Sequence, residues 1–147
     1  MKLSQKVWYA HIAAAVCGCF ADAKIPRAEL IEMFWDAAES RSGFDTKYCD
    51  SDGRAGLFAL PKSVFDEMSR RLRFSVGTSP KDPLANIEAA VGYIRWVFDK
   101  FSSYVEDERE RLKIAFLSLD GGFFRTKFAI ERCRKPVRAS QVEACLF

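Results

Sequence analysis

The chain has 147 residues, of which 49% are hydrophobic and 29% charged, with a formal net charge of +3. That length suits one domain able to bury a real core, and the composition is that of a soluble globular protein. The charge excess is too mild to name a partner, and no apolar run reaches the roughly 18 residues of a membrane span.

A first helix is expected over about Ser4 to Asp22, with Ser4 as N-cap and Trp8, Ile12, Ala15, Val16 and Cys19 on one face. The same stretch mimics a secretory leader. Met1, Lys2 and Lys6 precede an apolar run from Val7 to Phe20, and Ala21-Asp22-Ala23 follows like a cleavage site. Tyr9 and His11 are awkward in a leader core, so the structural helix is preferred over a cleaved signal.

Lys24-Ile25 turns the chain and Pro26 opens a second helix, where its missing N–H costs nothing. Leu30, Ile31, Phe34, Trp35 and Ala38 repeat there at the helical period, and the helix is expected to end at Glu39-Ser40. From Arg41 to Leu60 the chain is polar and turn-rich, with Asp52-Gly53 predicting a tight turn or small hairpin. Pro61 opens a third helix to about Arg73, with Val64, Phe65, Met68 and Leu72 on one face. Ser75 to Asp82 reads as a loop. The fourth and longest helix, about Pro83 to Val105, carries a stripe of Leu84, Ile87, Val91, Ile94, Phe98, Phe101 and Val105 and is expected at the centre of the fold. A fifth spans about Glu106 to Leu119 and stops at Gly121-Gly122.

The segment 123–147 is basic: Arg125, Lys127, Arg132, Arg134, Lys135 and Arg138 face only Glu131 and Glu143. It reads either as a solvated face or as a surface for an anionic partner. No nucleic-acid-binding motif is visible. The five cysteines, Cys17, Cys19, Cys49, Cys133 and Cys145, have no zinc-ligand spacing and read mostly as small buried residues. Cys49 could pair with Cys133 or Cys145 in an oxidising compartment. No metal cluster or phosphate loop stands out, and no cofactor is expected.

The chemistry concentrates at Glu39. A carboxylate in the last turn of an apolar helix faces the negative end of the helix dipole, with Trp35 one turn back and Phe44 in the loop. Such surroundings disfavour the charged form, as a general acid requires. The plainer reading is a solvated residue near the helix end.

Glu39-Ser40, Phe44, Gly56-Leu57-Phe58, Asn86-Ile87 and Tyr93 occur in an order that resembles the soluble lytic transglycosylase domain of the goose-type lysozyme-like superfamily. The family's blocks are E-S with a following F, G-L-M-Q, N-I with a following Y, and A-Y-N. The resemblance runs from about Trp8 to Gly122. It implies a mainly α (α+β lysozyme-like) single domain over 1–147, with a small hairpin or loop region after the helix bearing Glu39.

The resemblance also implies a function: cleavage of the MurNAc-GlcNAc bond of peptidoglycan. Glu39 would act first as acid, then as base on the sugar's own hydroxyl, giving 1,6-anhydro products. Ser40, Phe44, Gly56, Leu57, Phe58 and Tyr93 would bind the glycan or steady the acid. A hydrolytic lysozyme is the near alternative, with Asp50 or Asp52, or more weakly Asp45, as a second carboxylate. Two departures point to a third reading, a weakened lysozyme-like domain kept for binding or assembly. Ala59 stands at the family's glutamine, and Leu119 at its tyrosine, with Asp120 next to it as a candidate charged substitute. The expected setting is the periplasm, the cell envelope or a phage virion, or a secretion-system accessory.

Overall fold

The structure, a computed structural model, describes residues 2–147 and is mainly α-helical. Its helices are α1 Leu3–Cys19, α2 Arg27–Ser42, α3 Lys62–Arg71, α4 Pro83–Lys100, α5 Glu108–Gly121, α6 Phe123–Glu131 and α7 Ala139–Leu146. The chain divides into two compact units, Met1–Tyr93 and Ile94–Phe147, and the boundary falls inside α4.

In the first unit, α1 packs on α2. Ile12 and Val16, one turn apart, are fully buried. The stripe is narrower than expected, since Cys19 is exposed and Trp8 and Ala15 are only half-buried. Ser4 lies inside the helix and Lys2 is the N-cap, its N–H donating to the Gln5 side chain at 3.3 Å. The helix stops short of Asp22 because Phe20 turns away into the core, 5.7 Å from the Phe34 ring.

Pro26 caps α2, which buries Leu30, Ile31, Phe34 and Ala38. It runs past Glu39 to Ser42, and Gly43 ends it in the left-handed region (φ 64°) with its N–H on the Glu39 carbonyl at 2.8 Å. Two antiparallel bridges, Cys49 to Ala55 and Ala55 to Leu60, form the small hairpin region. α3 ends at Arg71, earlier than expected, because Arg73 sits at φ 56°; Leu72 is thereby turned outward, at 42% exposure. Along α4, Ala85, Asn86, Ile87, Ala89, Ala90, Val91 and Tyr93 are buried, while Leu84 points outward. Tyr93 is thus a core residue rather than one beside the stripe.

In the second unit α4 closes at Lys100, five residues before the expected Val105. Phe101 and Val105 remain buried in the turn that follows. α5 starts at Glu108 because the Asp107 carboxylate accepts the Glu110 N–H at 3.0 Å. Its buried face is Leu112, Ile114, Ala115 and Leu119. The basic segment is not a loose tail but two helices, α6 and α7, packed on α5 and on each other. They bury Thr126, Ala129, Ile130, Ala139, Val142 and Leu146. Phe123 links α6 to the end of α4, 5.1 Å from Phe101 and 4.9 Å from Trp96.

None of the five cysteines is buried, contrary to the expectation of small core residues. Cys17 and Cys133 are half-buried, the others are exposed, and none of the five forms a disulfide, so Cys49 is not bridged to Cys133 or Cys145. Four of them sit on helices α1 and α7 or just past α6, at positions the narrower apolar stripes leave outside.

Candidate functional site

Glu39 occupies the last full turn of α2 on its exposed side. Because α2 continues to Ser42, the carboxylate is neither at the extreme C-terminus nor buried, which removes the premise of an acid enclosed by apolar surroundings. Ser40 is exposed too, and its hydroxyl donates to the Ala37 carbonyl of its own helix at 3.2 Å. Trp35 and Phe44 pack on each other, ring centroids 4.2 Å apart, with Phe44 held at φ 61° just after Gly43.

The end of α2 is clasped to the turn 55–60. Arg41 Nε donates to the Phe58 carbonyl at 2.6 Å and its Nη2 to the Ala59 carbonyl at 2.8 Å. The Ser42 hydroxyl donates to the Leu57 carbonyl. Three successive carbonyls of the turn are thereby bound by two side chains from the helix terminus. Charge-assisted bonds from a guanidinium are roughly twice as strong as neutral ones and fix orientation.

Asn86 holds the turn from the other side. Its amide nitrogen donates to the carbonyls of Ala55 (3.1 Å) and Pro80 (2.8 Å), and its Oδ1 accepts the Phe58 N–H at 2.8 Å. Asn86 is fully buried, and these bonds occupy both its donors and an acceptor lone pair. Gly56, at φ 84°, lies against this amide.

The turn's side chains point inward. Leu57 and Phe58 are fully buried, and the Phe58 ring packs edge-on to Phe34, centroids 6.5 Å apart. Leu57 and Phe58 are therefore core residues and do not line a glycan groove. Gly56 is buried as well, and Ala59 is buried at φ 46°.

Asp50 and Asp52 form a turn around Gly53. The Asp50 carboxylate accepts the N–H groups of Asp52 and Arg54, each at 3.0 Å, and the Arg54 guanidinium lies 3.4 Å from Asp50 and 3.0 Å from Asp52. Partial burial pushes the Asp50 carboxyl up. The two N–H bonds and the Arg54 guanidinium outweigh it and hold the group below the usual aspartate range. Asp45 closes its own turn, accepting the Lys47 N–H at 2.9 Å.

In the second unit, Leu119 is core and Ser118 is buried with its hydroxyl on the Ala115 carbonyl at 2.6 Å. Asp120 is exposed on α5. Of the cations of 123–147, Arg125 donates to the Leu146 carbonyl at 3.2 Å and Arg138 lies 3.9 Å from Glu110. Lys127 is half-buried, and Arg132, Arg134 and Lys135 are exposed. Among the described residues no group of three His, Cys, Asp or Glu is placed to hold a metal ion, and no helix is long and apolar enough to cross a membrane.

Sequence reasoning missed Arg41 and Ser42 and saw Asn86 only as part of a motif. The signal for Asn86 was a lone amide inside the apolar run LANIEAAV; a polar group that becomes buried has to find partners. No protein-family model, curated protein or solved structure matches the chain.

Proposed function

We propose that the chain cleaves peptidoglycan as a lytic transglycosylase, with Glu39 as acid and then base. The observation that carries this reading is the exposed Glu39 carboxylate on a helix end locked by Arg41 and Ser42 to a main-chain turn. A general acid needs a fixed position, access to the glycosidic oxygen and a disfavoured charged form. A carboxylate on a rigid element supplies the first two, and a bound glycan would supply the third by excluding water from Glu39.

The state of Asp50 favours a single-carboxylate mechanism over a hydrolase that would use it. A second carboxylate that activates water must be a competent base. Asp50 already accepts two N–H bonds and faces the Arg54 guanidinium. Glu39 would protonate the leaving oxygen and then withdraw a proton from the sugar's 6-hydroxyl, so no water is needed.

A second reading, a lysozyme-like scaffold that binds without cleaving, is favoured by the inward-facing Leu57 and Phe58, which contribute no surface to a groove. The test is digestion of purified peptidoglycan by wild type and Glu39→Gln, with mass analysis of released fragments. Anhydro products that fall by about 10²–10⁴-fold in the variant, at unchanged melting temperature, are expected. Reducing-end products would redirect attention to Asp50 and Asp52. No release by the folded wild type would leave the binding scaffold.

A further inference from the structure

Helix α6 has two apolar faces. Thr126, Ala129 and Ile130 point into the unit and are buried. At 3.6 residues per turn, Phe124 and Phe128 fall on the opposite side, one turn apart. They are 71% and 60% exposed, and the Phe124 ring packs edge-on to that of Phe123, centroids 5.3 Å apart. The same periodicity sets Arg125 and Arg132 along one flank of this ridge, and Lys127 with Glu131 along the other. Arg134 and Lys135, both exposed, follow directly. Between Phe123 and Arg138 six cations meet a single carboxylate, Glu131.

A face turned to water has no use for two phenyl rings at that spacing, and a core face has no use for cations beside them. Both make sense where an apolar layer lies directly beneath a layer of negative charge. That is the boundary of an anionic bilayer, into which interfacial helices sink their apolar side while Lys and Arg meet the headgroups. The ridge stands on the outer side of a packed helix, whereas single-stranded nucleic acid is usually taken in a basic groove with stacking faces.

We propose that the outer face of α6 docks on an anionic phospholipid surface. Phe124 and Phe128 enter the boundary between headgroups and acyl chains, and Lys127, Arg132, Arg134 and Lys135 pair with phosphate oxygens. Among the described residues no helix is long and apolar enough to cross, and the proposed contact is a peripheral one. It does not depend on Glu39 or on any activity of the chain.

The test is co-sedimentation of the full chain with vesicles of phosphatidylcholine mixed with phosphatidylglycerol, and with phosphatidylcholine alone. Binding is expected only to the mixed vesicles and should weaken as salt is raised. Lys127→Gln and Arg134→Gln should each weaken it about fivefold, the effect of one cation near such a surface. The double variant Phe124→Ser/Phe128→Ser should abolish it with the helical circular dichroism unchanged. Undiminished binding by that double variant overturns the proposal. So does a wild type that ignores mixed vesicles, or that prefers a single-stranded oligonucleotide to them.

Discussion

The Asn86 amide occupies the space that a side chain on Gly56 would need: a Cβ built there would lie 2.2 Å from Asn86 Nδ2 and 2.1 Å from the Pro80 carbonyl oxygen. Gly56 also sits at φ 84°, where an L side chain is strained. Neither the carbonyl nor the fully bonded amide can withdraw. Gly56→Ala is expected to destabilise by about 3 kcal/mol or more. Thermal unfolding reads this as a drop of roughly 6–12 °C. A melting curve that overlays the wild type would contradict the close approach.

Removing the amide should hurt by a different route. Asn86→Ala strips partners from the Phe58 N–H and from the carbonyls of Ala55 and Pro80. Leaving buried polar groups unpaired costs about 1–3 kcal/mol each, so a loss of about 3–5 kcal/mol is expected in denaturant unfolding. Asn86→Asp should be worse still, since a carboxylate would face two carbonyl oxygens. An aspartate variant more stable than the alanine one would refute this account.

Two cations lie over the Phe98 ring: the Arg111 guanidinium stands 4.1 Å from its centre and that of Arg95 5.5 Å. Arg111 Nε is buried without a hydrogen bond, and burial lowers the Arg111 pKa although Glu108 and Asp99 oppose this. The ring face stands in for the missing acceptor. Phe98→Ala is expected to destabilise by about 3–5 kcal/mol. Phe98→Leu keeps most of the volume but not the ring, so its loss should shrink when Arg111 is also replaced by Met. Strict additivity of the two changes would show that the guanidinium and ring do not interact.

Acid should loosen the Asp50 turn. The folded carboxyl titrates below the ordinary aspartate value of 3.8 because the Arg54 and Asp52 N–H bonds and the Arg54 charge outweigh partial burial. A depressed carboxyl contributes its stability above the unfolded pKa and loses it as pH falls through the folded one. Carboxyl-carbon NMR should place the Asp50 midpoint under 3.8, and Asp50→Asn should remove the acid-dependent part of the turn's opening. A midpoint at or above that value would be the contrary result.

Thiol reactivity should rank by environment. Burial, then the Cys145 thiol beside it, raises the pKa of Cys133, whose S–H also donates to the Ala129 carbonyl at 3.2 Å. The thiolate is the nucleophile, so Cys133 should alkylate more slowly than exposed Cys19, Cys49 and Cys145 near neutral pH. The gap should narrow as pH rises. Peptide mapping after timed iodoacetamide treatment measures the order, and Cys133 leading it would refute the assignment.

Helix identity was legible where apolar period and punctuation agreed. Leu30, Phe34 and Ala38 after Pro26 marked α2, and Val64, Phe65 and Met68 after Pro61 marked α3. Helix ends were less so. Ser4 lost the capping position to Lys2, and Asp107 took one that no pattern had advertised. The 123–147 segment reads as basic surface because its cations are conspicuous; its buried Thr126, Ala129, Ile130 and Val142 are too small or scattered to advertise helices. At the candidate site, sequence order could bring Glu39, Gly56 and Asn86 into one argument. It could not reveal that Phe58 faces inward, because that depends on Arg41 and Ser42 gripping carbonyls, and a main-chain acceptor leaves no trace in a sequence.

The clasp also sets an order of events in time. Arg41 reaches partners 17 and 18 residues ahead, and Asn86 reaches back 28 and 31. Closing such loops is entropically opposed until both helices are docked, whereas helices α2 and α4 can begin to form from local contacts. The 55–60 turn is therefore expected to consolidate on the native side of the folding barrier, so that substitutions at Gly56 speed unfolding more than they slow folding. Its amides would then report when the first unit has finished assembling.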